Sequence, residues 1–201
     1  MVTLEIVMRS IVLASTSPYR RQLLARLRVA FEIDAPAVDE TPLPLELPRA
    51  IAQRLARNKA LAVEPRHRDA IIIGADQVAD DDGQPLGKPG DHAAALEQLQ
   101  SLQGRTVVFH TALAVLDSAS GQLREDSVPT TVRFRTLPRA VLDAYLRLDT
   151  PYDCAGAAKA ESLGIMLLES VQSDDPTALI GLPLIRLTTL LMRNDVLLPV
   201  A

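Results

Sequence analysis

Ala70-Ile-Ile-Ile-Gly-Ala-Asp76 is the most informative run in this chain of 201 residues. Its apolar residues are continuous rather than alternating, which is typical of a strand covered on both faces. In sheets of that kind, ligands bind at the carboxyl ends of the strands. We therefore expect a central strand over residues 70–75 and a ligand site at Asp76, which ends it. An aspartate that only starts a turn is the alternative interpretation.

Short segments of both kinds surround this strand. Apolar runs and turn signals predict further strands at residues 11–14, 31–35, 106–116, 123–134 and 165–171. Helical spacing and capping residues predict helices at about 18–28, 48–64, 91–102, 138–148 and 183–193. Strands that alternate with helices, together with the long hairpin 106–134, predict an α/β fold with a mixed sheet.

The chain reads as a single domain over residues 1–201, without repeats, low-complexity tracts or a long linker. Residues 1–9 fit neither the first strand nor the first helix, so we expect them to be an N-terminal extension. A hydrophobic content of 48% is enough for one substantial core or for two closely packed lobes.

Charge and composition argue against several classes of protein. A net charge of −4 and an aromatic content of 3% leave little for nucleic-acid binding, which needs a positive surface and rings for base stacking. No apolar run is long enough to span a membrane, and the N-terminus lacks a signal-peptide pattern. The single cysteine, Cys154, fits a reducing compartment. The cytoplasm is therefore the expected location.

Lys59 is an unusual residue within its predicted helix. At 100° per residue it falls between Ala52 and Leu55, on the stripe that faces the core. An ammonium group there must either reach solvent along the stripe or meet a phosphate or carboxylate. The pattern alone leaves both possibilities open.

Two turns could hold an anion. Ser15, Thr16 and Ser17 lead into a helix with Pro18 at its first position, and a helix N-terminus with local hydroxyl groups can bind phosphate. Ordinary capping is the alternative. The segment Gly83-Gln-Pro-Leu-Gly-Lys88-Pro is one residue too short for a phosphate-binding P-loop and has proline in place of serine or threonine. Lys88 can still be a fixed cation there, or a solvated turn lysine.

Taken in order, these pieces resemble the Maf family. The matching motifs are Leu13-Ala-Ser-Thr-Ser-Pro-Tyr-Arg20, Val38-Asp-Glu40, Ala56-Arg-Asn-Lys59-Ala60, Gly74-Ala-Asp-Gln77, Leu86-Gly-Lys-Pro89 and Leu179-Ile-Gly-Leu-Pro-Leu184. Each motif is weak alone, and the joint pattern covers nearly the whole chain.

The resemblance implies a nucleoside triphosphate pyrophosphatase that cleaves between the α and β phosphates, with Asp76 as proton acceptor. It also implies an elongated mixed sheet with flanking helices and two lobes around a central cleft, similar to inosine triphosphate pyrophosphatase, in a homodimer. The other functional positions of the family are expected to fall on Ser15, Ser17, Arg20, Glu40, Lys59 and Lys88. Glu40 and Asp76 are expected to share a divalent cation, Mg²⁺ or Mn²⁺.

Tyr19, Gln77 and Glu161 resemble the branch of the family that hydrolyses 7-methyl-GTP, as a house-cleaning activity against modified nucleotides. N7-methylation makes guanine cationic, and an aromatic face attracts a cation. We expect Glu161 to accept hydrogen bonds from the base and Gln77 to donate one to O6. The alternatives are a dTTP and UTP pyrophosphatase of the same family and a non-catalytic nucleotide-binding regulator of septum formation.

Overall fold

The computed structural model describes residues 9–196 and residue 198. The first eight residues of the predicted N-terminal extension lie outside these. The strands are β1 Ser10–Ala14, β2 Glu32–Asp34, β3 Ala70–Asp81, β4 Gln84–Leu86, β5 Thr106–Asp117, β6 Gln122–Phe134 and β7 Leu168–Ser173. The helices are α1 Pro18–Ala25, α2 Pro48–Val63, α3 His92–Leu102, α4 Arg139–Asp149 and α5 Leu184–Met192. Short 3₁₀ helices cover Glu64–Arg66, Ala155–Ala157, Leu163–Leu167 and Ala178–Ile180. Over these described residues, no helix is long and apolar enough to cross a membrane.

All seven strands form one sheet in the order β2-β1-β3-β5-β6-β7, with β4 paired to β3. β1 is parallel to β2 and β3, and all other pairs are antiparallel. The predicted α/β fold with a mixed sheet is confirmed: a crossover through α2 makes the β1–β3 pair parallel, whereas tight hairpins make the β3–β4 and β5–β6 pairs antiparallel.

Helices cover both faces of the sheet around β1. On one face, α2 packs against β1, β3 and β5 in a cluster that includes Ala56, Ala60 and Ile72. On the other face, α1 and α5 pack against the same strands through residues such as Leu24 and Leu187. We call this part of the molecule the first lobe.

A second lobe lies along the far halves of β3, β5 and β6. There α3, α4 and the 3₁₀ helix Ala155–Ala157 enclose a separate cluster that includes Leu99, Phe109, Tyr145 and Ala157. The long strands pass through both lobes, so the two clusters are held on one continuous sheet.

Gly74 sets the distance between α2 and β3. A Cβ atom at this position would lie 2.1 Å from the carbonyl oxygen of Ala56 and 2.9 Å from the amide nitrogen of Ala60. Only glycine permits such a close approach of helix and strand. Lys59, on the same turn of α2, is thereby brought against the strand.

The strand predicted to end at Asp76 continues to Asp81, so that boundary was wrong. The reason is that β5 pairs with β3 as far as Asp80. On the other side of β3, the pairing with β1 stops at Ala14 and Gly74. Asp76 therefore lies inside its own strand, just beyond the end of the neighbouring one.

The bounds of some other helices and strands differ from the predicted ones for local reasons. The first helix ends at Ala25 rather than near residue 28, because the next amides bond only three residues back and Arg28 has a φ of 55°. Positive φ at Asp82 and Gly83 gives a tight hairpin turn that leads into β4, a strand that was not predicted. The strand predicted at 165–171 begins only at Leu168, after a 3₁₀ helix.

Candidate active site

A cavity of about 360 Å³ lies between the two lobes, where β1 ends and α1 begins. The predicted site side chains that line it are Ser15, Ser17, Tyr19, Arg20, Glu40, Lys59, Gln77, Lys88 and Glu161. Asp76 lies directly behind Lys59 and is 7% exposed. The fold thus brings together residues that are far apart in the sequence.

The Lys59 ammonium group lies between two carboxylates. Its Nζ atom is 2.6 Å from Glu40 Oε1 and 2.6 Å from Asp76 Oδ1. Lys59 and Asp76 are buried, whereas the Glu40 side chain is 52% exposed. The inward orientation is therefore the one adopted, and Lys59 does not reach solvent along the helix.

Surrounding cations keep Glu40 ionised. Partial burial would raise the pKa of Glu40, but the hydrogen bond from Lys59 and the positive charges of Lys59, Lys88 and Arg20 outweigh it and lower the pKa. For Arg20, loss of solvent lowers the pKa, and the negative charges of Asp76 and Glu40 oppose that effect. The charges in this half of the cavity therefore stabilise one another.

The turn before α1 is organised by its own hydroxyl groups. Ser15 Oγ accepts a hydrogen bond from the Ser17 amide at 3.1 Å, and Ser17 Oγ accepts one from the Arg20 amide at 3.4 Å. Arg20 Nε donates to the carbonyl oxygen of Gly181 at 2.9 Å. Among the described residues, no acceptor engages the terminal nitrogens of Arg20, so they are available to an anion.

Gln77 is held in one orientation. Its Nε2 atom lies 2.9 Å from Thr111 Oγ1 and 2.9 and 3.0 Å from the carbonyl oxygens of Ala178 and Leu179, and these three acceptors share its two amide protons. Both amide protons are therefore used within the protein. The group that Gln77 leaves free for a ligand in this structure is its carbonyl oxygen, and the donation to guanine O6 expected from the sequence stays a prediction.

The opposite end of the cavity is formed by Tyr19, by the loop around Cys154 and by Glu161. Burial raises the pKa of Tyr19, and the nearby Lys159 ammonium opposes that shift. Loss of solvent likewise raises the pKa of Glu161. Burial raises the pKa of Cys154 to about 12, so its thiol is not ionised at neutral pH.

Sequence reasoning missed part of the lining. Phe109 lies in the cavity wall but has the apolar spacing of an ordinary core residue, so the pattern carries no signal for it. Leu179, Ile180 and Gly181 also line the cavity. Their motif was matched to the family, but nothing in it indicates that its backbone carbonyls hold Arg20 and Gln77. The close-approach role of Gly74 could have been suspected from a glycine in an otherwise bulky strand.

The acidic residues give the site few metal ligands. Within residues 9–196, no group of three or more histidine, cysteine, aspartate and glutamate side chains could hold a metal ion. Glu40 in the cavity lining and Asp76 behind Lys59 do carry the hard carboxylate oxygens that Mg²⁺ prefers.

The chain belongs to the Maf family, whose profile, described as Maf-like protein, matches residues 10–194. The resemblance noted in the sequence is confirmed. Several curated relatives carry the name 7-methyl-GTP pyrophosphatase. The relative from Cupriavidus metallidurans is 59% identical over 182 residues, which is 90% of this chain and 92% of its own.

The relative from Ralstonia nicotianae is 59% identical and covers 90% of this chain and 93% of its own. The relative from Thiobacillus denitrificans is 56% identical and covers 93% of each. Among solved structures, the Staphylococcus aureus Ham1 protein matches 62% of this chain and 71% of its own, with a TM-score of 0.46 and 14% identity. A structural similarity this low supports no inference about function.

Proposed function

We propose that this chain is a nucleoside triphosphate pyrophosphatase that hydrolyses 7-methyl-GTP to 7-methyl-GMP and pyrophosphate, and so removes a modified nucleotide. The observation that carries the proposal is the division of one cavity into two ends. One end groups cations with a carboxylate pair, and the other offers an aromatic ring and hydrogen-bond acceptors. The name shared by relatives 55–59% identical to the chain supports the same assignment.

The cationic end suits a triphosphate. Arg20 presents its terminal nitrogens from α1, and Lys88 extends from the loop between β4 and α3. Guanidinium and ammonium groups neutralise the charge that builds up on phosphoryl oxygens when the bridging bond breaks. The hydroxyl groups of Ser15 and Ser17 and the N-terminus of α1 add donors beside them.

We assign the proton acceptor to Asp76. Its Oδ1 atom is bonded to Lys59, while Oδ2 receives no hydrogen bond from the described residues. A water on Oδ2 would attack the α phosphorus and give up its proton to the carboxylate, as pyrophosphate leaves toward Arg20 and Lys88. Lys59 keeps Asp76 in place, and its single positive charge offsets half of the negative charge of the two neighbouring carboxylates.

We also propose a divalent cation, Mg²⁺ or Mn²⁺, held by Glu40 and Asp76. Because Glu40 and Asp76 are the carboxylates that contact Lys59 among the described residues, the remaining ligands are expected to be phosphate oxygens and water, which is how Mg²⁺ is usually bound at nucleotide sites. Its contribution would be to neutralise phosphate charge. Calorimetric titration of Mn²⁺ should then detect tight binding only when a non-hydrolysable triphosphate is present.

The other end suits a methylated guanine. The cationic ring would stack on Tyr19, an attraction of roughly 0.5 to 2 kcal/mol. Glu161 and the carbonyl oxygen of Gln77 can accept from N1–H and the exocyclic amine, and the positive charge on the base makes those donors stronger. A uracil or thymine edge has one N–H between two carbonyls, so paired acceptors disfavour it. This favours 7-methyl-GTP over dTTP and UTP.

The test is a panel of nucleotides with chromatographic identification of the products. We expect kcat/KM to be highest for 7-methyl-GTP, ahead of GTP, dTTP and UTP, with monophosphate and pyrophosphate as products. Diphosphate and orthophosphate would contradict the mechanism. Higher activity on dTTP or UTP would support the other branch of the family, and nucleotide binding without turnover would support a regulator.

We propose, finally, that the chain forms a homodimer and works in the cytoplasm. The family resemblance supports the dimer, and a nucleotide substrate together with a free thiol at Cys154 supports the compartment. Light scattering coupled to gel filtration measures the mass of the assembly, and a monomer at micromolar concentration would contradict the first proposal. Cell fractionation tests the second.

A further inference from the structure

The carboxylate of Asp175 is fully buried, although it lies outside the cavity and has no role in the proposed chemistry. It belongs to residues 175–184, which run from just after β7 to the first residue of α5 and which we call the carbonyl segment. A carboxylate without solvent is costly unless strong hydrogen bonds compensate it. Its partners therefore show what the residue does.

Asp175 closes the carbonyl segment into a loop. Its Oδ2 atom accepts hydrogen bonds from the amides of Ile185 and Arg186, at 2.7 and 3.2 Å, in the first turn of α5. Its Oδ1 atom accepts from the amide and hydroxyl group of Thr177, at 3.1 and 2.8 Å. Pro183, at the N-cap position, has no side chain that can cap α5, so a residue from the other end of the segment supplies the acceptor.

Thr177 continues the same network. Its hydroxyl oxygen is 2.8 Å from Asp175 Oδ1 and 2.8 Å from the carbonyl oxygen of Leu182, and it accepts a hydrogen bond from the Leu184 amide at 2.8 Å. The backbone between these anchors is therefore fixed at both ends.

The fixed backbone presents carbonyl oxygens to two site residues. Gly181 accepts from Arg20 Nε at 2.9 Å, at the phosphate end of the cavity. Ala178 and Leu179 accept from Gln77 Nε2, at 2.9 and 3.0 Å, and Gln77 is one of the residues proposed above to bind the base. One short loop thus orients a phosphate-binding cation and a base-recognising amide at the same time.

We infer that Asp175 is a positioning residue for both ends of the substrate. By closing the carbonyl segment, it fixes the Arg20 guanidinium toward the phosphates and turns the Gln77 carbonyl oxygen toward the base. This role rests on the proposed function for the identity of the substrate. It predicts that loosening the segment changes affinity and base selectivity together, without contact between Asp175 and the nucleotide.

The test compares variants of the network in the full-length protein. Asp175→Asn places an amide against the N–H groups of Ile185 and Arg186, and Thr177→Val removes the hydroxyl group at nearly constant shape. Thr177→Ser retains the hydroxyl group and should restore the wild-type values. Asp117→Asn is the matched control, because Asp117 also accepts from nearby backbone amides.

The control residue is far from the cavity. Asp117 pairs with Ile71, whereas Ala112 pairs with Asp76 on the same strands. Five residues at about 3.4 Å each place it roughly 17 Å along the strand from the site. Its substitution can lower stability but has no path to Arg20 or Gln77.

For Asp175→Asn and Thr177→Val, we expect KM to rise roughly tenfold for both 7-methyl-GTP and GTP, since Arg20 loses its orientation. The ratio of kcat/KM for 7-methyl-GTP to that for GTP should fall roughly threefold, since Gln77 can then rotate. Thr177→Ser and Asp117→Asn should leave KM and the ratio unchanged. All assays are run well below the unfolding temperature of each variant.

A purely structural role would lower only the amount of folded enzyme, and so the apparent kcat, equally for both substrates. Unchanged KM and ratio in Asp175→Asn would overturn the inference. If that variant does not fold, Thr177→Val is compared with Thr177→Ser instead. Unchanged KM and ratio in Thr177→Val would then overturn the inference. If the wild-type enzyme hydrolyses no nucleotide, the proposed function fails, and calorimetry with inorganic pyrophosphate still tests whether the variants weaken anion binding at Arg20.

Discussion

The two ends of the cavity are built differently. At the phosphate end, Lys59, Asp76 and Arg20 project from α2, β3 and α1, and the first two are paired directly. At the base end, Glu161 lies in a loop, and Gln77 is oriented by backbone carbonyls rather than by another side chain. The Lys59–Asp76 pair at the centre of the proposed chemistry thus rests on a helix and a strand, whereas Glu161 and the carbonyl groups that orient Gln77 come from segments between strands and helices.

This contrast predicts that substitutions at the phosphate end lower kcat for every nucleotide. Substitutions at the base end should change the ratio of kcat/KM between nucleotides, and by smaller factors.

The largest effect is expected for Asp76→Asn. The change preserves shape but removes the proton acceptor, so kcat should fall on the order of 10²-fold or more for all nucleotides while the protein stays folded. Asp80→Asn is the control and should retain activity, because Asp80 lies on the same strand but bonds to the Gly83 amide and His110 rather than to Lys59. Near-normal turnover in a folded Asp76→Asn variant would mean that the proton is accepted by Glu40 or that the attacking water is activated by the metal.

Gly74→Ala should destabilise the first lobe. The added methyl group would lie 2.1 Å from the Ala56 carbonyl oxygen and force α2 away from β3. We expect the free energy of unfolding to fall by about 1–3 kcal/mol, with a lower kcat because Lys59 moves with the helix. Denaturant unfolding measures the first effect. Gly87→Ala, where a Cβ atom meets nothing within 4 Å, should leave stability unchanged. Equal stability of both variants would show that α2 is not held by this contact.

Tyr19→Ala should act selectively. Loss of a cation–π contact of roughly 0.5 to 2 kcal/mol corresponds to a decrease of about 2- to 30-fold in kcat/KM for 7-methyl-GTP, with little change for GTP. Tyr19→Phe keeps the ring and should keep the preference. A parallel loss for both nucleotides would mean that the ring shapes the cavity without sensing the charge of the base.

The smallest effect is expected in the pH profile. The pKa of Glu161 is raised by loss of solvent, whereas that of Glu40 is lowered by its cationic neighbours, so Glu161 takes up a proton first as the pH falls. KM for 7-methyl-GTP should therefore rise at a higher pH than the one at which kcat declines. Glu161→Gln cannot titrate and should lose that rise in KM. If KM depends on pH in the same way in the wild type and in the variant, Glu161 does not take part in base recognition.

The sequence by itself determined the class of fold and most residues of the candidate site. Apolar runs, caps and turn residues act over a few positions, so they predicted the strand at Ile71, the cap at Ser17 and the inward stripe that carries Lys59. Ordered motifs resembling a family then linked these local features to one activity.

Only the tertiary structure decided how the side chains are used. Strand length depends on the partner strands, so the continuation of β3 past Asp76 could not be read from its own residues. Hydrogen-bond partners come from distant segments: Gln77 became an acceptor because Ala178 and Leu179 occupy its amide protons, and Asp175 caps a helix that begins nine residues later. Local patterns place a polar group on a face of its element, but packing between elements decides which atom of that group remains free for a ligand.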